Sequence, residues 1–116
     1  SKYYGVDIVL GQNTVDRLND TFAVIELDMI QVKGKTEPVR IYALLGDETM
    51  RQSPEFISLR RTAGTMLEAY RTQAWDKAEQ AAESLLAQSS ALYGLAQLYL
   101  GRIAEFRLYP PPSDWD

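Results

Sequence analysis

Two kinds of hydrophobic spacing divide the chain, and one gives way to the other near residue 50. Before it, apolar side chains recur at every second position or in short β-branched runs, the spacing of a strand with one face buried. Asp7-Ile8-Val9-Leu10-Gly11 is such a run, closed by a glycine. Asn13 or Thr14 is the expected cap of a short helix through Val15 and Leu18, because their side-chain oxygens accept the backbone N–H groups left free at a helix start. Residues 22–32 predict a long strand, with Ile25, Leu27 and Met29 on one face and Val24, Glu26 and Asp28 on the other. The apolar phase then moves to Ile30 and Val32, which requires a bulge or a change of sheet face. Lys33-Gly34-Lys35-Thr36-Glu37 reads as a polar five-residue turn, and Pro38 sits at the entry to the next run, where its missing N–H costs least. Residues 39–45 alternate again and end at Gly46, so the two runs predict a β-hairpin.

After residue 50 the spacing becomes helical. Ser53-Pro54-Glu55 is a start signal: a cap, a proline in the first turn and an acid near the positive end of the helix dipole. Leu59, Ala63, Met66, Leu67 and Tyr70 form one stripe, and Trp75, Ala78, Ala81, Ala82, Leu85 and Leu86 a second. A third runs through Leu92, Leu95, Ala96, Tyr99, Ile103 and Phe106 and must stop at Pro110-Pro111-Pro112. Three helices with short connections predict antiparallel stacking. Gly64, Gly94 and Gly101 lie inside these patterns at about 1 kcal/mol each relative to Ala, and close approach of helices is the expected reason. Tyr70, Trp75, Ala78, Ala82 and Leu85 have the look of one tetratricopeptide-type helical hairpin, one residue short in its spacing. Ser113-Asp114-Trp115-Asp116 suggest no partner.

Composition narrows the chemistry. The 116 residues include no His and no Cys, which excludes thiolate chemistry, disulfides, Cys/His zinc sites and histidine general bases. A formal charge of −4, without a basic stripe in either half, argues against binding nucleic acid or a membrane surface. The apolar runs are too short to span a bilayer.

Few motifs survive inspection. Gly34-Lys35-Thr36 matches the end of a phosphate-binding loop, but Met29 stands where that motif needs glycine, and a strand follows where it needs a helix. Asn19-Asp20-Thr21 is formally a glycosylation sequon without a secretory signal. Glu26 and Asp28, expected on one strand face, could pair on a metal, though a solvated face is the commoner outcome. Arg60-Arg61 reads as a solvated helix face, and Trp75 and the tyrosines as packing rather than a platform for bases.

The string Lys2-Tyr3-Tyr4-Gly5-Val6-Asp7-Ile8-Val9-Leu10, with Glu26-Leu27-Asp28 and Val32-Lys33-Gly34-Lys35-Thr36-Glu37-Pro38-Val39-Arg40-Ile41-Tyr42 downstream, resembles the C-terminal third of a class III adenylate/guanylate cyclase catalytic domain. The resemblance covers about 45 of the 116 residues, and its most specific part is the Val-Lys-Gly-Lys…Pro-Val…Tyr string. Trp75-Asp76 and Pro110-Pro111-Pro112-Ser113-Asp114-Trp115-Asp116 are similar, more loosely, to the helical extension of bacterial cyclases with an upstream sensor and membrane helices.

The resemblance implies an α+β fold. A partial cyclase-type sheet of a strand, a short helix and a long β-hairpin would occupy residues 1–49. An antiparallel three-helix, tetratricopeptide-like extension would occupy 50–116. It also implies a parent enzyme that converts ATP to cyclic AMP and pyrophosphate in signal transduction. Two Mg²⁺ or Mn²⁺ ions would be held by residues upstream of this chain, and a second copy of the domain would complete a homodimer. The expected setting is cytoplasmic, as the cytosolic part of a membrane-anchored parent, with no direct membrane contact by this segment. One functional position carries over. Lys33 corresponds to the lysine that reaches the nucleotide's terminal phosphates, and a flexible ammonium at a strand end suits charge building on a departing pyrophosphate. No catalytic or metal-binding residue is expected here, so the chain alone is expected to be inactive. The alternative is a helical protein–protein interaction module attached to a catalytically silent cyclase remnant.

Overall fold

A β-hairpin is the frame of the structure, a computed structural model that describes residues 3–18, 20–31, 33–113 and 115. The sequon residue Asn19, and Val32, Asp114 and Asp116, lie outside the described residues. Strands β2 (Ala23–Ile30) and β3 (Val39–Gly46) pair antiparallel, and β1 (Val9–Gly11) pairs with the other edge of β3, giving the order β1-β3-β2. The ladder closes at Ile30 opposite Val39, so the connection runs over residues 31–38 rather than the five expected. The expected phase change is present, but it falls earlier. Glu26 stands opposite Tyr42 and Asp28 opposite Ile41, leaving Leu27 as the extra residue of a bulge. Consecutive Leu27 and Asp28 are therefore both buried.

Five helices accompany the sheet among the described residues. Helix α1 (Gln12–Arg17) opens from Gly11 without a side-chain cap, so neither Asn13 nor Thr14 plays the expected part. Helix α2 (Glu48–Arg51) is a single turn whose capping residue, Asp47, accepts from the Met50 N–H at 3.1 Å. The periodicity did not predict it. Helix α3 (Pro54–Arg71) starts as expected, with the Ser53 hydroxyl accepting from the Phe56 N–H at 3.1 Å. Helices α4 (Trp75–Gln88) and α5 (Tyr93–Leu108) follow the other two stripes. The three stack antiparallel. Gln88 at the end of α4 accepts from Ser58 in the first half of α3, and Arg107 at the end of α5 reaches Asp76 and Glu79 at the start of α4.

A single cluster of buried side chains joins both halves of the chain, running from Ile25, Leu27 and Ala43 of the sheet to Phe56, Met66, Leu85, Leu95 and Tyr99 of the helices. Fully burying each large one contributes about 1.5–3 kcal/mol. The glycines behave differently from expectation. A Cβ on Gly94 would stand 3.0 Å from the Cα of Gly5 and 3.2 Å from the Tyr4 carbonyl, so α5 presses on the N-terminal segment rather than on another helix. Gly5 itself needs its φ of +71° there. Added Cβ atoms on Gly64 and Gly101 would meet open space, so close helix approach explains neither. No helix among the described residues is long and apolar enough to cross a membrane.

Candidate functional site

Lys33 begins the exposed turn of the hairpin. Gly34 follows with φ +89°, a left-handed conformation open to glycine, and the Gln31 side-chain amide closes the turn by donating to the Lys35 carbonyl at 2.7 Å. Lys33, Lys35 and Glu37 are all exposed, and no ion pair involves either lysine among the described residues. The turn thus offers an unpaired ammonium at the end of a two-strand arm. Behind the arm lies a cleft of about 500 Å³, with Ile30 and Pro38 on the hairpin side and Tyr70, Arg71 and Trp115 on the helical side.

The base of the arm is organised around Asp28, which is 6% exposed. Its Oδ2 accepts from Arg102 Nη2 at 2.8 Å and from the Tyr4 hydroxyl at 3.0 Å, and its Oδ1 accepts from the Met29 N–H at 2.8 Å. The Tyr99 hydroxyl lies 2.7 Å from the Leu27 carbonyl and 3.1 Å from Asp28 Oδ1, and divides one proton between them. Arg102 in turn is walled by rings, with its guanidinium carbon 5.0 Å from the centre of Tyr99 and 5.9 Å from that of Tyr70. Burial pushes the Asp28 carboxyl up, but the bond and charge of Arg102, the Met29 N–H and the Tyr4 hydroxyl outweigh it and hold it below the ordinary carboxylate range. Burial and the neighbouring carboxylate push Tyr4 up to about 12 and Tyr99 higher still. Asp28 is therefore ionised and both phenols are neutral donors at neutral pH.

Glu26 occupies the opposite face of the same strand. It accepts from Arg71 Nη2 at 2.6 Å and stands 3.6 Å from Arg40 Nε, with all three side chains partly exposed. The bulge has separated the two carboxylates that strict alternation places on one face. They do not converge, each already has an arginine, and no group of three potential metal-ligating side chains occurs among the described residues. Glu26 and Asp28 therefore do not form a divalent-ion site. Arg60 and Arg61 are exposed as expected, with the Arg60 guanidinium 5.5 Å above the Phe56 ring. Tyr70, Trp75 and Phe106 pack together as expected, and Trp115 joins them, its indole N–H donating to the Arg71 carbonyl at 3.3 Å. Sequence reasoning missed the roles of Asp28, Arg102 and Trp115. Only an acid at the point where the apolar phase changes could have hinted at the first.

Comparison of the chain with known protein families, curated proteins and solved structures finds no match.

Proposed function

We propose that the chain is the C-terminal part of a nucleotide cyclase catalytic domain with a helical extension, and that Lys33 is its contribution to the substrate site. In the parent, ATP would be converted to cyclic AMP and pyrophosphate. The Lys33 ammonium would neutralise charge on the departing pyrophosphate, an electrostatic role that needs reach and a positive charge. The two divalent ions, Mg²⁺ or Mn²⁺, belong on this reading to upstream residues, and the second copy of the domain supplies the rest of the site. The observation that carries the proposal is Lys33 itself, standing unpaired and exposed beside Gly34 at the end of a long hairpin arm. The coarser order of strand, short helix and hairpin also supports it.

The rival is a tetratricopeptide-like interaction module made of α3–α5. Such a module would have to stand without residues 1–49. The bonds from Tyr99, Arg102 and Arg71 to β2 weigh against that. The deciding experiment assays cyclic-nucleotide formation by the protein extended upstream by about 150 residues, the size of one domain. With Mn²⁺ and ATP or GTP, product is expected to form and to fall at least about tenfold in Lys33→Ala, of the order lost with one charge-stabilising group. A folded, dimeric extension that forms no product under these conditions would overturn the cyclase reading.

A further inference from the structure

Among the described residues, Asp28 makes the last hydrogen bonds from the hairpin to the helical layer; residues 29–38 make none. Beyond it the arm overhangs the cleft of about 500 Å³. An arm tied at its base, through Asp28 on one face and through the Arg71–Glu26 pair on the other, and open beyond has the layout of a hinge. Three separate segments meet at that point: Tyr4 before the sheet, Leu27 and Asp28 at the bulge, and Tyr99 and Arg102 one turn apart on α5. The bulge residue is held through its backbone carbonyl, so the grip fixes the direction of the chain as well as the side chain.

We propose that α5 sets the angle of the hairpin arm through Arg102 and Tyr99, which makes them positioning residues for Lys33. Packed elements with two discrete arrangements carry coupling between distant groups. Here the candidate arrangements are an arm held against α5 and an arm swung into or away from the open cleft. A displacement of α5 by any event acting on the helical layer would then move Lys33 without touching it. The functional consequence rests on the reading of Lys33 as a phosphate ligand, whereas the mechanical claim does not.

The chain's lack of cysteine makes the test direct, because introduced thiols are the only ones present. Nitroxide labels at Lys35→Cys on the turn and Glu83→Cys on the exposed side of α4 report the arm's position by pulsed electron–electron resonance. The otherwise native chain should give one narrow distance distribution. Arg102→Met should at least about double its width or add a second population, and Arg102→Lys, which keeps the charge, should restore most of the narrow form. A pair that only stabilises the fold would lower the melting temperature and leave the folded-state distribution narrow, which overturns the proposal. If Arg102→Met does not fold, Tyr99→Phe removes only the hydroxyl shared by Leu27 and Asp28. An unchanged distribution there overturns the proposal equally. In the upstream-extended protein, Arg102→Met should lower kcat about tenfold with KM changed less than about threefold, the pattern of a lost transition-state interaction. Full retention of kcat in that variant also overturns it. Absence of product from the unmutated extension removes the cyclase reading alone, since the distance distribution still decides whether α5 positions the arm.

Discussion

Glu26 and Asp28 stand two positions apart in one strand, each beside an arginine from the helical layer, yet their surroundings differ in kind. Glu26 lies on the outer face, where water reaches it and both of its arginines. Asp28 lies on the inner face, where a carboxylate keeps its charge only because four donors converge on it. The bulged Leu27 makes the difference. The two environments predict that the worth of an ion pair in this molecule is set by the face of the sheet it occupies, more than by the distance between the charges.

Removing the cation from each pair is the strongest way to break that comparison. Arg102→Met leaves a buried, uncompensated carboxylate and should cost about 3–5 kcal/mol, whereas Arg71→Met on the partly exposed pair should cost no more than about 1 kcal/mol. Urea unfolding of the two variants measures both values, and equal losses would mean that the bulge does not separate the two environments.

Acid sharpens the comparison further. The folded pKa of Asp28 is depressed, so its contribution to stability is present above the unfolded value of about 4 and lost as pH falls through the folded value. In Arg102→Met, burial acts without its main counterweight and favours the protonated form, so acid relieves that variant while it weakens the native chain. The stability gap between them should be widest near pH 7 and shrink below about pH 4. A gap independent of pH in unfolding titrations would mean that Asp28 is not ionised in the folded protein.

The smallest effect tests the same contrast between filled and open surroundings on α5. Gly94→Ala forces a Cβ against the backbone of Gly5 and Tyr4 and should cost about 1–2 kcal/mol. Gly101→Ala meets only open space and should raise stability by up to about 1 kcal/mol through helix propensity. Thermal melts of the pair check the opposite signs.

The pattern of the sequence predicted what spacing controls. The hairpin, the start of α3 at Ser53 and the stop of α5 before Pro110 follow from periodicity, capping and proline chemistry. Helix α2 escaped because four residues hold too little of a period, although Asp47-Glu48 carries an ordinary cap signal. The bulge was legible as a phase change. Its position was not, because Leu27-Asp28-Met29-Ile30 admits the slip at more than one residue; the structure places it at Leu27, whose carbonyl accepts from the distant Tyr99 hydroxyl. Of the candidate site, Lys33 was visible through resemblance. The Asp28 cluster was not, since Tyr4, Tyr99 and Arg102 lie 24 to 74 residues from Asp28 and none has a local signature.

The docking of Trp115 against Tyr70 and Trp75 has an optical consequence. Both tryptophans of the chain sit in this one cluster, with ring centres 6.0 Å apart, while the sheet contains none. Intrinsic emission therefore reports whether Trp115 is seated on the helical layer and, because Trp115 also faces Ile30 and Pro38 across the cleft, whether the hairpin arm closes over it.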